Sequence, residues 1–174
     1  DIRVILHKTA ASLLLVYVDH HDDAYAWAER RKIERHPTTG AMQLVEIRER
    51  VEEIAAPAPA PRAVPAKAKP KLFERLSKLE LMGFGVPADW VEDVRGADED
   101  TLFDIAFHLP QEAQEALLKL AVGEKPVPPA PVPEDADPFA HPDAQRRFRV
   151  LTNVDELRQA LDYPWDRWAV FLHP

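Results

Sequence analysis

Residues 1–30 read DIRVILHKTAASLLLVYVDHHDDAYAWAER, and this segment determines the fold class that the sequence predicts. Ile2, Val4 and Leu6 alternate with other residues, which is the period of a β-strand. The apolar run from Leu13 to Val18 is typical of a strand buried on both faces. Only a short turn separates the two, so they are predicted to form an antiparallel hairpin.

A helix is predicted directly after the hairpin. Asp22 or Asp23 can cap its first turn. One face of this helix combines Ala24, Trp27, Ala28 and Arg31. His36 precedes Pro37, and the residue before a proline is pushed out of the α region, so the helix is predicted to end at His36.

The segment that follows, MQLVEIRERVEEI at 42–54, fits two kinds of structure. Alternation of Met42, Leu44 and Glu46 favours a strand. A helical stripe is supported at least as well, through Leu44, Ile47, Val51 and Ile54. The sequence leaves both interpretations open.

Two proline-rich segments, 55–71 and 125–142, divide the chain. Proline makes up 17 of 174 residues, roughly twice the usual share of about 5%. Because proline fixes φ and lacks an N–H, neither segment can be helix or central strand, and both are predicted to be extended linkers. The alternative is a docking site for a proline-binding domain, which composition alone does not support.

The linkers separate three structured segments. Residues 1–54 are predicted to be a mixed α/β segment, 72–124 a small helical bundle, and 143–174 a short helical piece. Glycine stops and Pro87 in a first turn mark the helices of the bundle. The chain as a whole is therefore predicted to be α+β, with an antiparallel sheet and helix followed by helical segments.

Composition excludes several classes of function. The net charge of −8 argues against a generally basic nucleic-acid binder. The absence of cysteine excludes disulfides, thiolate zinc sites and cysteine nucleophiles. The sequence contains no P-loop, no dinucleotide-binding glycine motif and no Gly-x-Ser-x-Gly motif. Residues 72–124 carry 4 basic and 12 acidic side chains, so we do not expect this segment to bind phosphate.

The sequence also supports expectations about where the protein is located and about the two ends of the chain. The longest apolar run, Leu13 to Val18, is too short to span a bilayer, and no signal peptide is visible. We therefore predict a cytoplasmic protein without membrane contact. The chain begins within a strand-like pattern and closes on an apolar phrase, so we interpret both ends as cuts from a longer protein.

Few residues of the sequence are candidates for a metal site or a nucleic-acid site. His20, His21, Asp22 and Asp23 cluster, but neighbours in a strand point to opposite faces, so we predict a strand end and helix cap and no metal site. Arg3 is predicted to lie near Tyr25 and Arg30, which would make a small nucleic-acid surface, since arginine contacts phosphate and tyrosine stacks on bases. The alternative is an ordinary surface strand beside a charged helix.

The first thirty residues resemble the C-terminal half of the RelE/ParE toxin-like fold. That family often has an arginine-containing strand, an apolar strand and a His-x-Asp-x-Tyr phrase before a helix, here matched by Arg3, Leu13 to Val18, His21, Asp23 and Tyr25. Members that cleave ribosome-bound mRNA use basic and tyrosine residues on this sheet. The resemblance therefore implies nucleic-acid contacts, with RNA as a partner, at Arg3, His21, Tyr25 and Arg30.

The phrase PWDRWAVFLHP at 164–174 resembles the segment just before the motor core in one group of UvrD/Rep-like superfamily 1 DNA helicases. In that group a glutamine motif that reads adenine and a P-loop follow at once. The same group commonly carries a RelE-like segment, proline-rich spacers and a small helical segment in this order. The resemblance implies that four residues border the nucleotide pocket: Phe171, Leu172, His173 and Pro174.

Together these features predict the N-terminal accessory region of an ATP-dependent DNA helicase. The resemblance implies ATP and Mg²⁺ as cofactors of the whole protein and DNA as the partner of its motor. This chain itself is predicted to hold no cofactor and to have no activity of its own. Two alternatives stay open, a RelE/ParE-type RNA-binding or RNA-cleaving module and a protein-interaction scaffold.

Overall fold

The computed structural model of the chain describes residues 2–9, 13–55, 69–151 and 153–162. These residues combine antiparallel strands with short helices, which confirms the predicted α+β class. The strands are β1 (Ile2–Lys8), β2 (Leu13–His20), β3 (Arg31–Arg35), β4 (Met42–Glu46) and β5 (Arg149–Leu151). The helices are α1 (His21–Glu29), α2 (Arg48–Ala55), α3 (Lys78–Gly83), α4 (Val91–Gly96), α5 (Leu102–Phe107), α6 (Gln111–Ala121), α7 (Pro142–Arg147) and α8 (Val154–Leu161). Most of the first predicted linker, at 56–68, lies outside the described residues.

The predicted hairpin of β1 and β2 is confirmed, and it forms a three-stranded antiparallel sheet with β5. Ile5 pairs with Tyr17 and Leu6 pairs with Leu15, so Val16 is an extra residue on β2. Such a bulge shifts the alternation of one strand relative to its partner. On the far edge of β2, Leu14 pairs with Val150 of β5, a strand that the sequence did not predict.

The predicted helix up to His36 is wrong in its second half. The helix ends at Glu29, where the backbone N–H of Arg30 donates to Ala28 O, and β3 begins at Arg31. Ile33 pairs with Leu44 of β4 and packs in an apolar cluster, so tertiary pairing overrides the helical pattern. Pro37 lies in the turn between the two strands.

The ambiguous segment at 42–54 contains both predicted structures, since β4 ends at Glu46 and α2 begins at Arg48. Its strand is buried on the face of Gln43 and Val45 and half-buried on the other face. Leu44 packs on the first sheet's side with Leu14 and Phe148, whereas Val45 packs among the helices of residues 72–124. Because successive side chains of a strand point to opposite faces, this hairpin joins two cores.

The helical segment forms the larger core. Its buried side chains include Phe73, Leu81, Val86, Trp90, Val94, Leu102 and Leu117. Helix α3 begins with a capping box, in which Ser77 Oγ accepts from the N–H of Glu80 and Glu80 accepts from the N–H of Ser77. That arrangement satisfies two N–H groups that a helix otherwise leaves unpaired at its start.

The second proline-rich segment contacts the β3–β4 hairpin. The N–H of Val132 donates to Thr39 O at 2.8 Å, and Arg35 donates to Pro133 O at 2.6 Å. Farther along, Phe139 is buried and its ring stands edge-on to Phe148, with the centroids 5.7 Å apart. This part of the predicted linker is therefore anchored to the fold.

Candidate functional site

Two of the predicted nucleic-acid residues lie side by side on α1. His21 and Tyr25 are one helical turn apart, and their ring centroids are 4.8 Å apart at a tilt of 56°. Tyr25 is 52% exposed. The Nδ1 atom of His21 lies 2.9 Å from a carboxylate oxygen of Asp22. An exposed aromatic pair of this kind can stack on a base, although the neighbouring carboxylate opposes a phosphate.

The two predicted arginines bond to nearby backbone. Arg30 Nε donates to Ala26 O at 3.0 Å, within the last turn of α1. Arg3 Nη1 lies 3.3 Å from Ile2 O, and the residue pairs with Asp19 across the hairpin. The structure thus brings His21 and Tyr25 together, whereas Arg30 turns back to its own helix.

The sequence did not predict an aromatic and cationic cluster between β2, α1 and β3. The rings of Tyr17 and Trp27 stack with centroids 4.2 Å apart and planes 4° apart. The Arg31 guanidinium carbon lies 4.7 Å from the centre of the Trp27 ring, a cation–π distance. The four-residue spacing of Trp27 and Arg31 could have indicated their contact, because residues four apart approach each other at a helix end.

Tyr17 is held by a neighbour on its own strand. Its hydroxyl donates to a carboxylate oxygen of Asp19 at 2.6 Å. This hydrogen bond raises the pKa of the Tyr17 hydroxyl and lowers the pKa of the Asp19 carboxyl. The hydroxyl therefore serves to fix the ring, and it is poorly suited to act as a general base.

Glu46 connects this cluster with the helical segment. One of its carboxylate oxygens binds Arg31, and the other lies 2.7 Å from Nδ1 of His108 at the end of α5. The backbone oxygen of Glu46 accepts from Nε1 of Trp90 at 3.0 Å, and the Trp90 and His108 rings stack 5.6 Å apart. Burial lowers the pKa of Arg31, and the Glu46 carboxylate opposes that effect.

Three more polar contacts join the β3–β4 hairpin and α2 to the helices. Gln43 Nε2 donates to Gly85 O at 2.8 Å. The His36 Nε2 atom lies 2.9 Å from Val86 O. Arg48 at the start of α2 makes two hydrogen bonds to Asp93, at 2.6 and 3.0 Å. These contacts join elements that are distant in sequence, so the polar side chains serve to hold the fold together.

Two cavities accompany these contacts. One of about 170 Å³ lies between the sheets and is lined mainly by apolar side chains together with His7, Trp27 and Arg31. The other, of about 240 Å³, lies between α6, α7 and Pro126 to Pro129. Two of the carboxylates that line it, Glu112 and Glu115, bind Arg147 and Arg146, each with a closest distance of 2.8 Å or less. Their charges are therefore already compensated.

Within the described ranges, no group of three His, Cys, Asp or Glu side chains could hold a metal ion. None of the helices described there is long and apolar enough to cross a membrane. Phe171, Leu172, His173 and Pro174, which the helicase resemblance places at a nucleotide pocket, lie outside the described residues. No protein-family model, no curated protein and no solved structure matches the chain significantly.

Proposed function

We propose that this chain is an accessory region of an ATP-dependent DNA helicase and that it positions the motor core relative to DNA. The helicase assignment is supported by the resemblance of 164–174 and by the order of the segments. ATP and Mg²⁺ would bind to the motor and not to this chain. The chain's own contribution would be mechanical, since a rigid module transmits orientation and a mobile tether does not.

The observation that carries the positioning role is the pair of contacts at Glu46. Its carboxylate binds Arg31 on one side and lies 2.7 Å from His108 on the other. The Glu46 side chain is only 16% exposed, so water screens these contacts poorly. The α/β segment and the helical segment are thereby held in one orientation.

ATP hydrolysis by the complete protein tests both parts of this proposal. We expect hydrolysis that single-stranded DNA stimulates, and a protein without such activity would contradict the helicase assignment. Glu46→Gln should reduce the stimulation by DNA several-fold and leave the basal rate unchanged. Glu92→Gln is the matched control, because Glu92 forms an exposed pair with Lys78, 63% exposed on each side. Stimulation that is equal in both variants would contradict the positioning role alone.

A second candidate function, contact with RNA, is favoured by the exposed Tyr25 ring beside His21. In this function the α/β segment would bind or cleave mRNA, as its resemblance to RelE/ParE toxins implies. Cleavage of a ribosome-bound mRNA by the chain should then disappear in the Arg3→Ala, Tyr25→Ala double variant. Intact mRNA after incubation with the unaltered chain would exclude cleavage, and unchanged RNA binding by the double variant would exclude this surface.

A further inference from the structure

Residues 125–133 read KPVPPAPVP and form an extended segment that we call the proline strap. The structure has neither helix nor strand over these residues. Every residue of the strap is a proline or directly precedes one. Proline fixes its own φ, and it restricts the residue before it to extended backbone, so the strap is confined to the polyproline II region.

The fold holds the proline strap at both ends. On the α6 side, the strap follows directly on the end of the helix, where the N–H of Glu124 donates to Lys119 O at 2.9 Å and fixes the position at which the strap begins. At the other end, the N–H of Val132 donates to Thr39 O at 2.8 Å. Gly40 permits this approach, since a Cβ at that position would lie 2.3 Å from Val132 O. The strap is therefore fixed in place before any partner arrives.

The burial of the strap shows which side faces outward. A polyproline II helix has three residues per turn, so Pro126, Pro129 and Val132 share one edge. Pro126 and Val132 are half-buried, whereas residues 127–131 are exposed, Val127 at 92%. The edge of Pro126 and Val132 thus rests on the protein. The residues of the two other edges, Val127–Pro128 and Ala130–Pro131, are exposed, and Val127 and Pro128 also line the cavity beside α6 and α7.

The outward edges present a regular pattern. Lys125, Pro128 and Pro131 follow each other at intervals of three, so one charge and two prolines lie along one edge. The proline-rich segment at 55–71 contains no two prolines three positions apart. The pattern is therefore specific to the strap and does not follow from proline content.

We propose that the proline strap is a docking site for a partner protein whose groove is lined by aromatic side chains and carries a carboxylate opposite Lys125. Aromatic grooves of this kind bind P-x-x-P segments by packing on exposed proline rings, and they exploit the low entropy of a preformed polyproline II helix. Anchoring at both ends reduces the ordering cost further. The lysine fixes the direction in which the strap enters the groove. This inference does not depend on the proposed helicase function.

The test is a calorimetric titration of the 174-residue chain with a purified SH3 domain that prefers a basic residue before P-x-x-P. We expect one-to-one binding that weakens at least tenfold in the Pro128→Ala, Pro131→Ala double variant. Pro129→Ala is the matched control, because it removes one proline ring and leaves the edge of Lys125, Pro128 and Pro131 intact, and it should change the affinity less than threefold. Lys125→Glu should weaken binding and reduce its dependence on salt.

Either of two titration results would overturn the proposal: no binding of the probe, or equal affinity of the double variant and the unaltered chain. Circular dichroism of each variant should match the unaltered chain, since the altered side chains are exposed. Light scattering of the chain alone tests whether a second copy of the chain, and not a partner protein, binds to these edges. A dimer that the double variant dissociates would assign these edges to a second copy of the chain and overturn the proposal of an aromatic groove.

Discussion

Gly40 lies where the β3–β4 turn and the proline strap approach each other most closely. Its φ is +70°, a conformation that residues with a Cβ rarely adopt, and a Cβ there would meet Val132 O. Gly123 has a similar φ of +85° but has no atom within 4 Å of the position of a Cβ. Comparison of an alanine substitution at each glycine therefore separates the cost of backbone strain from the cost of a steric clash.

Gly40→Ala should destabilise the chain by more than Gly123→Ala. We expect Gly123→Ala to lower the free energy of unfolding by about 1 kcal/mol through φ alone, and Gly40→Ala to lower it by about 3 kcal/mol. Urea denaturation followed by circular dichroism measures both values. Equal losses would show that the strap does not lie against the turn.

His36 is a buried residue whose protonation state the fold determines. Its Nδ1 atom accepts from the N–H groups of Thr38 and Thr39, at 3.2 and 3.1 Å, so the ring proton lies on Nε2, toward Val86 O. Burial lowers the pKa of His36 below its usual value. The neutral ring is therefore the form that fits the folded chain.

Stability should fall as the pH decreases through the titration of His36. In the unfolded chain the ring takes up a proton below its ordinary pKa of about 6.5, whereas the folded chain resists this. The free energy of unfolding should thus be constant above about pH 7 and decline toward pH 5. Urea titrations at several pH values measure the slope, which His36→Gln should reduce. An unchanged slope in that variant would assign the decline to other groups.

At the scale of single elements, the β3–β4 hairpin determines how the chain is assembled. Its two faces enter different cores, with Leu44 on one side and Val45 on the other. Glu46 adds a polar connection to the helical segment, since its carboxylate connects β3 with the end of α5. The hairpin is therefore the layer on which the first sheet and the helical segment both pack.

Glu46→Gln should destabilise the fold much more than removal of a surface charge. The variant leaves Arg31, whose side chain is 20% exposed, without its anionic partner. We expect a loss of about 2 kcal/mol in the free energy of unfolding, and a much smaller loss for Glu92→Gln, because water screens its exposed pair with Lys78. Chemical denaturation of both variants measures the difference. Equal, small losses would mean that Glu46 contributes no more than an exposed pair.

The elements that the sequence predicts are those with a local signal. The β1–β2 hairpin follows from the alternation of Val4 and Leu6 and from a nearby apolar run, all within twenty residues. Strand β3 was missed because Ile33 acquires its strand conformation from pairing with Leu44. Strand β5 was missed for the same reason, since Val150 pairs with Leu14, far away in the chain.

The contacts of the candidate site also fall into those that a local sequence signal indicates and those that none indicates. His21 and Tyr25 were both predicted as nucleic-acid residues, and one helical turn places their rings together. The contact of Glu46 with His108 spans 62 positions. Neither residue stands in a motif, so periodicity and spacing carry no information about their contact. Only the packing of β4 against α5 brings them within hydrogen-bonding distance.

At the scale of the whole molecule, the described residues form a continuous series of packed layers. The first sheet packs on one face of the β3–β4 hairpin and the helical segment packs on the other. Val45 is fully buried in the helical core although it belongs to the α/β segment. We therefore expect the two segments to unfold together, in one cooperative transition.

Thermal unfolding of the chain and of its Val45→Ala variant, followed by calorimetry, measures whether the α/β segment and the helical segment unfold together. Removal of two buried methyl groups should lower the free energy of unfolding by about 2 kcal/mol. We expect a single transition that moves as a whole to lower temperature. Two separate transitions, of which Val45→Ala moves only one, would contradict it.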